Sequence, residues 1–170
     1  EFTKHYTNVH VPPAIGDEGQ AIGAYQHADY TLNNNIHVAE TFAGKEYDYV
    51  GEERVNYKEV AQAIADGKIV GWFQGKSESG NRRICKVKSD KVPGITHIDN
   101  TARIQTVNQK FNGKFYNIIN EFYKITGVPM LLNTSFNCQE PIVETPEHAI
   151  RTFKKTALDL LVINDWIIKK

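Results

Sequence analysis

Asn56-Tyr57-Lys58-Glu59-Val60-Ala61-Gln62-Ala63-Ile64-Ala65-Asp66-Gly67-Lys68-Ile69-Val70-Gly71-Trp72-Phe73-Gln74-Gly75 reads as a helix followed directly by a strand. Asn56 with Glu59 three residues on resembles a capping box, and Gly67 can take the left-handed conformation that stops a helix. Tyr57, Val60, Ala61 and Ile64 recur at helical spacing and form one apolar stripe. Lys68 to Gln74 is then a short, nearly continuous apolar run of strand type ending at Gly75. Outward from this unit the alternation continues. Ile84 to Lys88 reads as a second strand, Phe115, Ile118, Ile119 and Phe122 as an amphipathic helix closed by Gly127, and Val128 to Leu132 as a buried strand. Thr145 caps a further helix with Pro146 at its first position. Leu158 to Ile163 and Trp166 to Ile168 form a closing hairpin. Helices alternating with strands predict an α/β fold, a twisted mixed sheet covered by helices.

Upstream the pattern changes. Asp17 can cap a helix from Glu18 to Asp29 whose buried side is Ala21, Ile22, Ala24 and Tyr25. Asn33 to Gly51 is polar and aperiodic, as a linker or surface loop would be. A start at Glu1-Phe2 without Met suggests a domain excised from a longer protein.

Bulk properties narrow the function classes. With 20 basic and 20 acidic residues the net charge is zero, so no global field draws in nucleic acid or an anionic membrane. Hydrophobic residues at 41% and charged residues at 24% suit a soluble globular chain. Cys85 and Cys138 lie far apart without metal-ligand spacing, which favours reduced thiols. No apolar run approaches a membrane span and no signal-peptide pattern opens the chain, predicting a cytoplasmic protein without a membrane partner.

Three segments carry chemistry. In His97-Ile98-Asp99-Asn100-Thr101-Ala102-Arg103-Ile104-Gln105-Thr106, an extended backbone puts His97, Asp99, Thr101, Arg103 and Gln105 on one face. Ile98, Ala102 and Ile104 take the other. Arg forks onto phosphate or carboxylate while neutral groups orient the rest, so this mixture suits an oxyanion pocket. An ordinary polar sheet face is the alternative. The second segment, Asn133-Thr134-Ser135-Phe136-Asn137, follows the expected strand at Val128–Leu132, and ligands in α/β sheets gather beyond the carboxyl ends of strands. Asn133, Thr134, Ser135 and Asn137 can present amides and hydroxyls there, or merely close an Asx turn. The third segment, Gly71 to Arg83, brings Lys76, Arg82 and Arg83 among glycines, as a cationic lid over phosphates or a solvated loop would. It contains no GxxxxGK[ST]. Asp17 between glycines suits a hard metal ion or a helix cap.

VPPAIGDEGQAIGAY (11–25), IVGWFQGKSESG (69–80), THIDNTARIQTV (96–107) and TGVPMLLNTSFNCQEPIVETPEHAI (126–150) together resemble the O-carbamoyltransferases of nodulation-factor and antibiotic biosynthesis. The resemblance implies a tail of an actin-like, metal-binding transferase domain at residues 1–30 and a linker at 31–51. It also implies a carbamoyl-adenylate-forming domain, similar to threonylcarbamoyl-adenylate synthase, at 52–170. It implies carbamoyl phosphate, ATP and an acceptor small molecule as partners, and iron held through Asp17 plus histidines absent from this chain. Mg²⁺ is expected with ATP from the chemistry. His97, Asp99 and Arg103 would be catalytic. Lys76, Arg82, Thr101, Gln105, Asn133, Thr134, Ser135 and Asn137 would bind substrate. The sequence departs from the family after the lid: Ser79-Gly80 runs straight into Asn81-Arg82-Arg83, without the family's Pro-Arg-Ala-Leu-Gly stretch and long basic segment. Two readings stay open, an ATP-dependent carbamoyl-adenylating domain and a degenerate non-catalytic module that binds a nucleotide or braces a partner. The acceptor and the oligomeric state are not legible, a homodimer being one option.

Overall fold

The computed structural model describes residues 20–35, 44–76, 83–86 and 92–170, without the side chains of 20–23, 83–86 and Arg103. The chain forms two compact units, Glu1–Lys45 with Lys76–Arg82, and Glu46–Gly75 with Arg83–Lys170.

In the first unit, helix α1 spans Gln20–Asn33. It runs past the expected end at Asp29. The expected cap, Asp17, lies outside the described residues. Tyr25, assigned from the sequence to a buried side, is 61% exposed.

The second unit is a mixed α/β sandwich. Strands β1 (Glu53–Arg54), β2 (Val70–Phe73), β5 (Leu160–Ile163) and β6 (Trp166–Lys169) form one sheet in the order β1-β6-β5-β2. β2 and β5 run parallel, with Val70 opposite Leu160 and Phe73 opposite Ile163. β5–β6 and β6–β1 are antiparallel. A separate two-stranded sheet joins β3 (Arg83–Lys86) and β4 (Thr101–Ile104).

Parity in β5 builds the two cores, because successive side chains leave a strand on opposite faces. Leu160 and Val162 pack with Val60, Ala61, Ala63, Ile118 and Ile167, beneath helices α2 (Tyr57–Ala65) and α3 (Gly113–Thr126). Leu161 and Ile163 pack with Val143, Ala149 and Phe153, beneath helix α4 (Pro146–Lys155). A strand buried on both faces has no polar side to show, which explains the unbroken Leu-Leu-Val-Ile. The helix ends follow the sequence reading. Asn56 accepts from the amides of Lys58 and Glu59 at 3.1 and 3.4 Å, Gly127 closes α3 at φ 71°, and Thr145 caps α4. Glu59 does not close a capping box; its carboxylate meets Lys169 at 2.9 Å.

Two expected strands are corrected. Val128–Leu132 forms no ladder. Pro129 has no amide to give one, and the chain here passes from one sheet face to the other. Leu131 packs on the α2/α3 core and Phe136 on the α4 core, while Leu132 is 84% exposed. In His97–Thr106, only Thr101–Ile104 is strand.

Candidate functional site

The segment before β4 is a tight turn. The carbonyl of His97 accepts the amide of Asn100 at 2.9 Å, the amide of His97 donates to the carbonyl of Thr101 at 2.8 Å, and Asn100 sits at φ 61°. Asp99 drives this geometry. Its Oδ1 accepts both the amide (3.1 Å) and the hydroxyl (2.7 Å) of Thr101, an Asx-type closure that competes with extended pairing. The expected five-residue polar face is therefore broken. His97 and Asp99 sit in the turn, Thr101 and Arg103 lie on the strand, and Ile98, expected on the opposite face with Ala102 and Ile104, stands fully in solvent. Within the strand, Ala102 is buried at 1% exposure, and Thr101 and Ile104 are half-buried. The backbone of Arg103 pairs with Ile84, and its side chain lies outside the described residues.

The Thr101 hydroxyl and amide hold the Asp99 carboxyl below the usual carboxylate range, and the nearby His97 adds to the shift. A carboxylate so stabilised is a poor proton acceptor near neutrality. Its chemistry is orientation: it fixes the Thr101 hydroxyl and the shape of the turn.

A hydrogen bond from Asn133 Nδ2 to Gln105 Oε1, at 3.1 Å, joins the second segment to the first. Thr134, Ser135 and Asn137 are exposed along the following loop. The loop is pinned from below. The Phe136 ring lies over Gly71 of β2, where an added Cβ would stand 3.0 Å from Phe136 Cζ. The Phe136 carbonyl accepts the amide of Val143 at 2.9 Å. Asn137 donates to the carbonyl of Glu140 at 2.8 Å, and Glu140 reaches α4 through the Thr152 hydroxyl (2.7 Å) and Arg151 (3.0 Å). The Thr152 hydroxyl, with help from Arg151, holds the Glu140 carboxyl below its ordinary range. Sequence reading passed over Glu140 as part of the Glu-Pro-Ile-Val run. A short polar loop that must be held open needs such an anchor, and an acidic residue before proline was the available signal.

Lys76 is exposed and belongs to the first unit. Arg82 and Asp17 lie outside the described residues. Among the described residues no group of three or more His, Cys, Asp or Glu could hold a metal ion. The iron site that the resemblance implied rests in this chain on Asp17, so that expectation lies outside the described residues as well. No helix among them is long and apolar enough to cross a membrane.

A family model described as the carbamoyltransferase C-terminus matches residues 83–170, which include the turn, β4 and the Asn133–Asn137 loop. Nodulation protein NolNO of Sinorhizobium fredii is 28% identical over 250 residues, covering 97% of this chain and 36% of the relative. Nodulation protein NolO of Bradyrhizobium diazoefficiens is 46% identical over 89 residues, covering 52% of this chain and 16% of its own length. The 3'-hydroxymethylcephem-O-carbamoyltransferase of Amycolatopsis lactamdurans is 23% identical over 198 residues, covering 78% of this chain and 38% of the enzyme. The chain thus spans less than half the length of these relatives. Against NolNO, 97% of this chain (about 165 residues) is spread over 250 aligned positions, so roughly 85 of them have no counterpart here.

Proposed function

Because the chain belongs to the family of the carbamoyltransferase C-terminus, we propose that it makes carbamoyl-adenylate from carbamoyl phosphate and ATP for transfer to an acceptor hydroxyl. Water releases phosphate from carbamoyl phosphate, and an oxygen of the resulting carbamate attacks the α-phosphorus of ATP, which enters with Mg²⁺, displacing pyrophosphate. Such a reaction needs no covalent nucleophile on the protein; positioning and charge neutralisation supply most of the catalysis. Arg103 takes phosphate charge in the transition state, with Lys76 and Arg82 as further cationic contacts. Asp99 and His97 hold the turn that presents Thr101. Gln105, Asn133, Thr134, Ser135 and Asn137 hydrogen-bond the carbamoyl group or the adenylate. Residues 1–30 are the tail of the transferase domain, 31–51 a linker and 52–170 the adenylate-forming domain, acting in the cytoplasm.

The observation that carries this reading is the Asn133–Gln105 bridge, which joins two polar motifs distant in sequence within the stretch that the family model covers. The test is carbamoyl-phosphate-dependent exchange of pyrophosphate into ATP. Arg103→Ala should lower that exchange by about 10²–10³, the usual worth of one transition-state charge contact. An unaltered rate in a folded Arg103→Ala protein removes Arg103 from the site.

The positions that this chain skips relative to NolNO favour a second reading, a non-catalytic module that binds a nucleotide or braces a partner. ATP binding by calorimetry without any exchange would select it.

A further inference from the structure

The parallel strands β2 and β5 end together, and one side chain ties their carboxyl ends. Asn164 begins the two-residue connection from β5 to β6 at φ 54°. Its amide donates to the carbonyl of Phe73, the last residue of β2, at 2.8 Å. Its side chain then works in two directions. Oδ1 accepts the amide of Gly75 at 3.1 Å, and Nδ2 donates to the carbonyl of Tyr47 at 2.9 Å. Glycine would satisfy the backbone of this turn at lower strain. Asparagine tolerates the same φ and adds a donor and an acceptor, and both are used.

The residue before Gly75 is held as well. Gln74 accepts from the Trp72 indole at 2.7 Å and donates to Asn112 Oδ1, the group that caps α3 by accepting the Phe115 amide. Gln74 is thus fixed to a helix start and Gly75 to a hairpin. Gly75 takes φ 53°, a conformation that L side chains rarely adopt, and the Asn164 side chain holds its amide there.

We infer that Asn164 is a positioning residue that fixes the Gly75 backbone at the carboxyl ends of the parallel strands β2 and β5, and through it the binding of phosphate substrates there. For that second clause the inference rests on the adenylating reading above. Asn164 touches no substrate; it acts through the backbone.

Two variants test it in the full chain. Asn164→Gly keeps the turn and removes both side-chain bonds. Asn164→Asp keeps the turn and the acceptor for the Gly75 amide while losing the donor to Tyr47. In pyrophosphate exchange, Asn164→Gly should raise KM for ATP or carbamoyl phosphate about 3- to 10-fold, the worth of one or two hydrogen bonds. kcat should stay within about twofold, and Asn164→Asp should recover most of the loss. Loss of kcat and melting temperature without a KM change would show a merely structural residue and overturn the inference. If the wild-type chain shows no exchange at all, the adenylating reading fails on its own. The positioning of Gly75 is then decided by amide hydrogen exchange. Faster exchange at Gly75 in Asn164→Gly, with the Val162 amide unchanged, sustains it, and equal exchange at Gly75 ends it.

Discussion

Gly71→Ala tests whether the candidate loop is seated by the absence of a side chain. Gly71 is buried in β2, where glycine ordinarily weakens a strand by about 0.5–1 kcal/mol relative to alanine. An added Cβ would stand 3.0 Å from Phe136 Cζ, 3.1 Å from Leu161 Cδ1 and 3.3 Å from Leu158 Cδ1. All three contacts are tighter than ordinary van der Waals separation, and all are side-chain tips. Leu161 is fully buried against Val143, Ala149 and Phe153, so it has no room to retreat. Phe136 is half-buried on an irregular loop and gives way first, carrying its neighbours Ser135 and Asn137. Overpacking of this kind costs about 1–3 kcal/mol. Set against the gain from removing a glycine, Gly71→Ala should lose about 1 kcal/mol, read as a lower urea midpoint at constant m-value. Phe136→Leu in the same background should recover part of the loss, because the shorter side chain vacates the contested volume. The double-mutant cycle should therefore show a favourable coupling of about 0.5–1 kcal/mol. A Gly71→Ala protein as stable as wild type, with strictly additive effects at Phe136, would refute the seating argument.

Three further outcomes follow from the same contacts. Glu140 has a folded pKa depressed by Thr152 and Arg151, so its contribution is fully present above the unfolded carboxylate value near about 4.3 and is lost as pH falls through the folded value. The stability difference between wild type and Glu140→Gln should hold from about pH 5 to 7 and shrink below about pH 4, measured by urea midpoints across that range. Asp99→Ala should accelerate amide exchange at Thr101, whose amide and hydroxyl both rest on Asp99, whereas Asp99→Asn keeps an acceptor and should leave exchange near wild type. Leu161→Ala should cost about 2–5 kcal/mol by calorimetry, since the side chain is fully buried in the α4 core.

Local signals sufficed for what local physics controls. Asn56, Thr145 and Gly127 end their helices through bonds within a few residues, so cap chemistry marked α4, and caps together with apolar stripes marked α2 and α3. The closing hairpin and β2 were legible for a like reason: continuous apolar runs bounded by turn residues have few other uses. At Val128–Leu132 the same rule failed, because an apolar run shows that side chains will be buried without showing that the backbone finds a ladder.

The candidate site divides along the same line. Residue types in His97–Gln105 and Asn133–Asn137 were sufficient to mark both segments as polar and clustered, and their pattern resembled one family before any contact was known. Tertiary structure alone decided which of them meet. Asn133 reaches Gln105 across 28 residues of sequence separation, Phe136 rests on a glycine in another strand, and Asn164 holds Gly75 from the far hairpin across 89. Asp99 is the instructive failure. Alternation assigned it to a strand face, but its short carboxylate reaches the backbone two residues on and closes a turn instead. Periodicity describes a backbone already committed to a ladder; the competition between a side chain and that ladder is settled by three-dimensional hydrogen bonding.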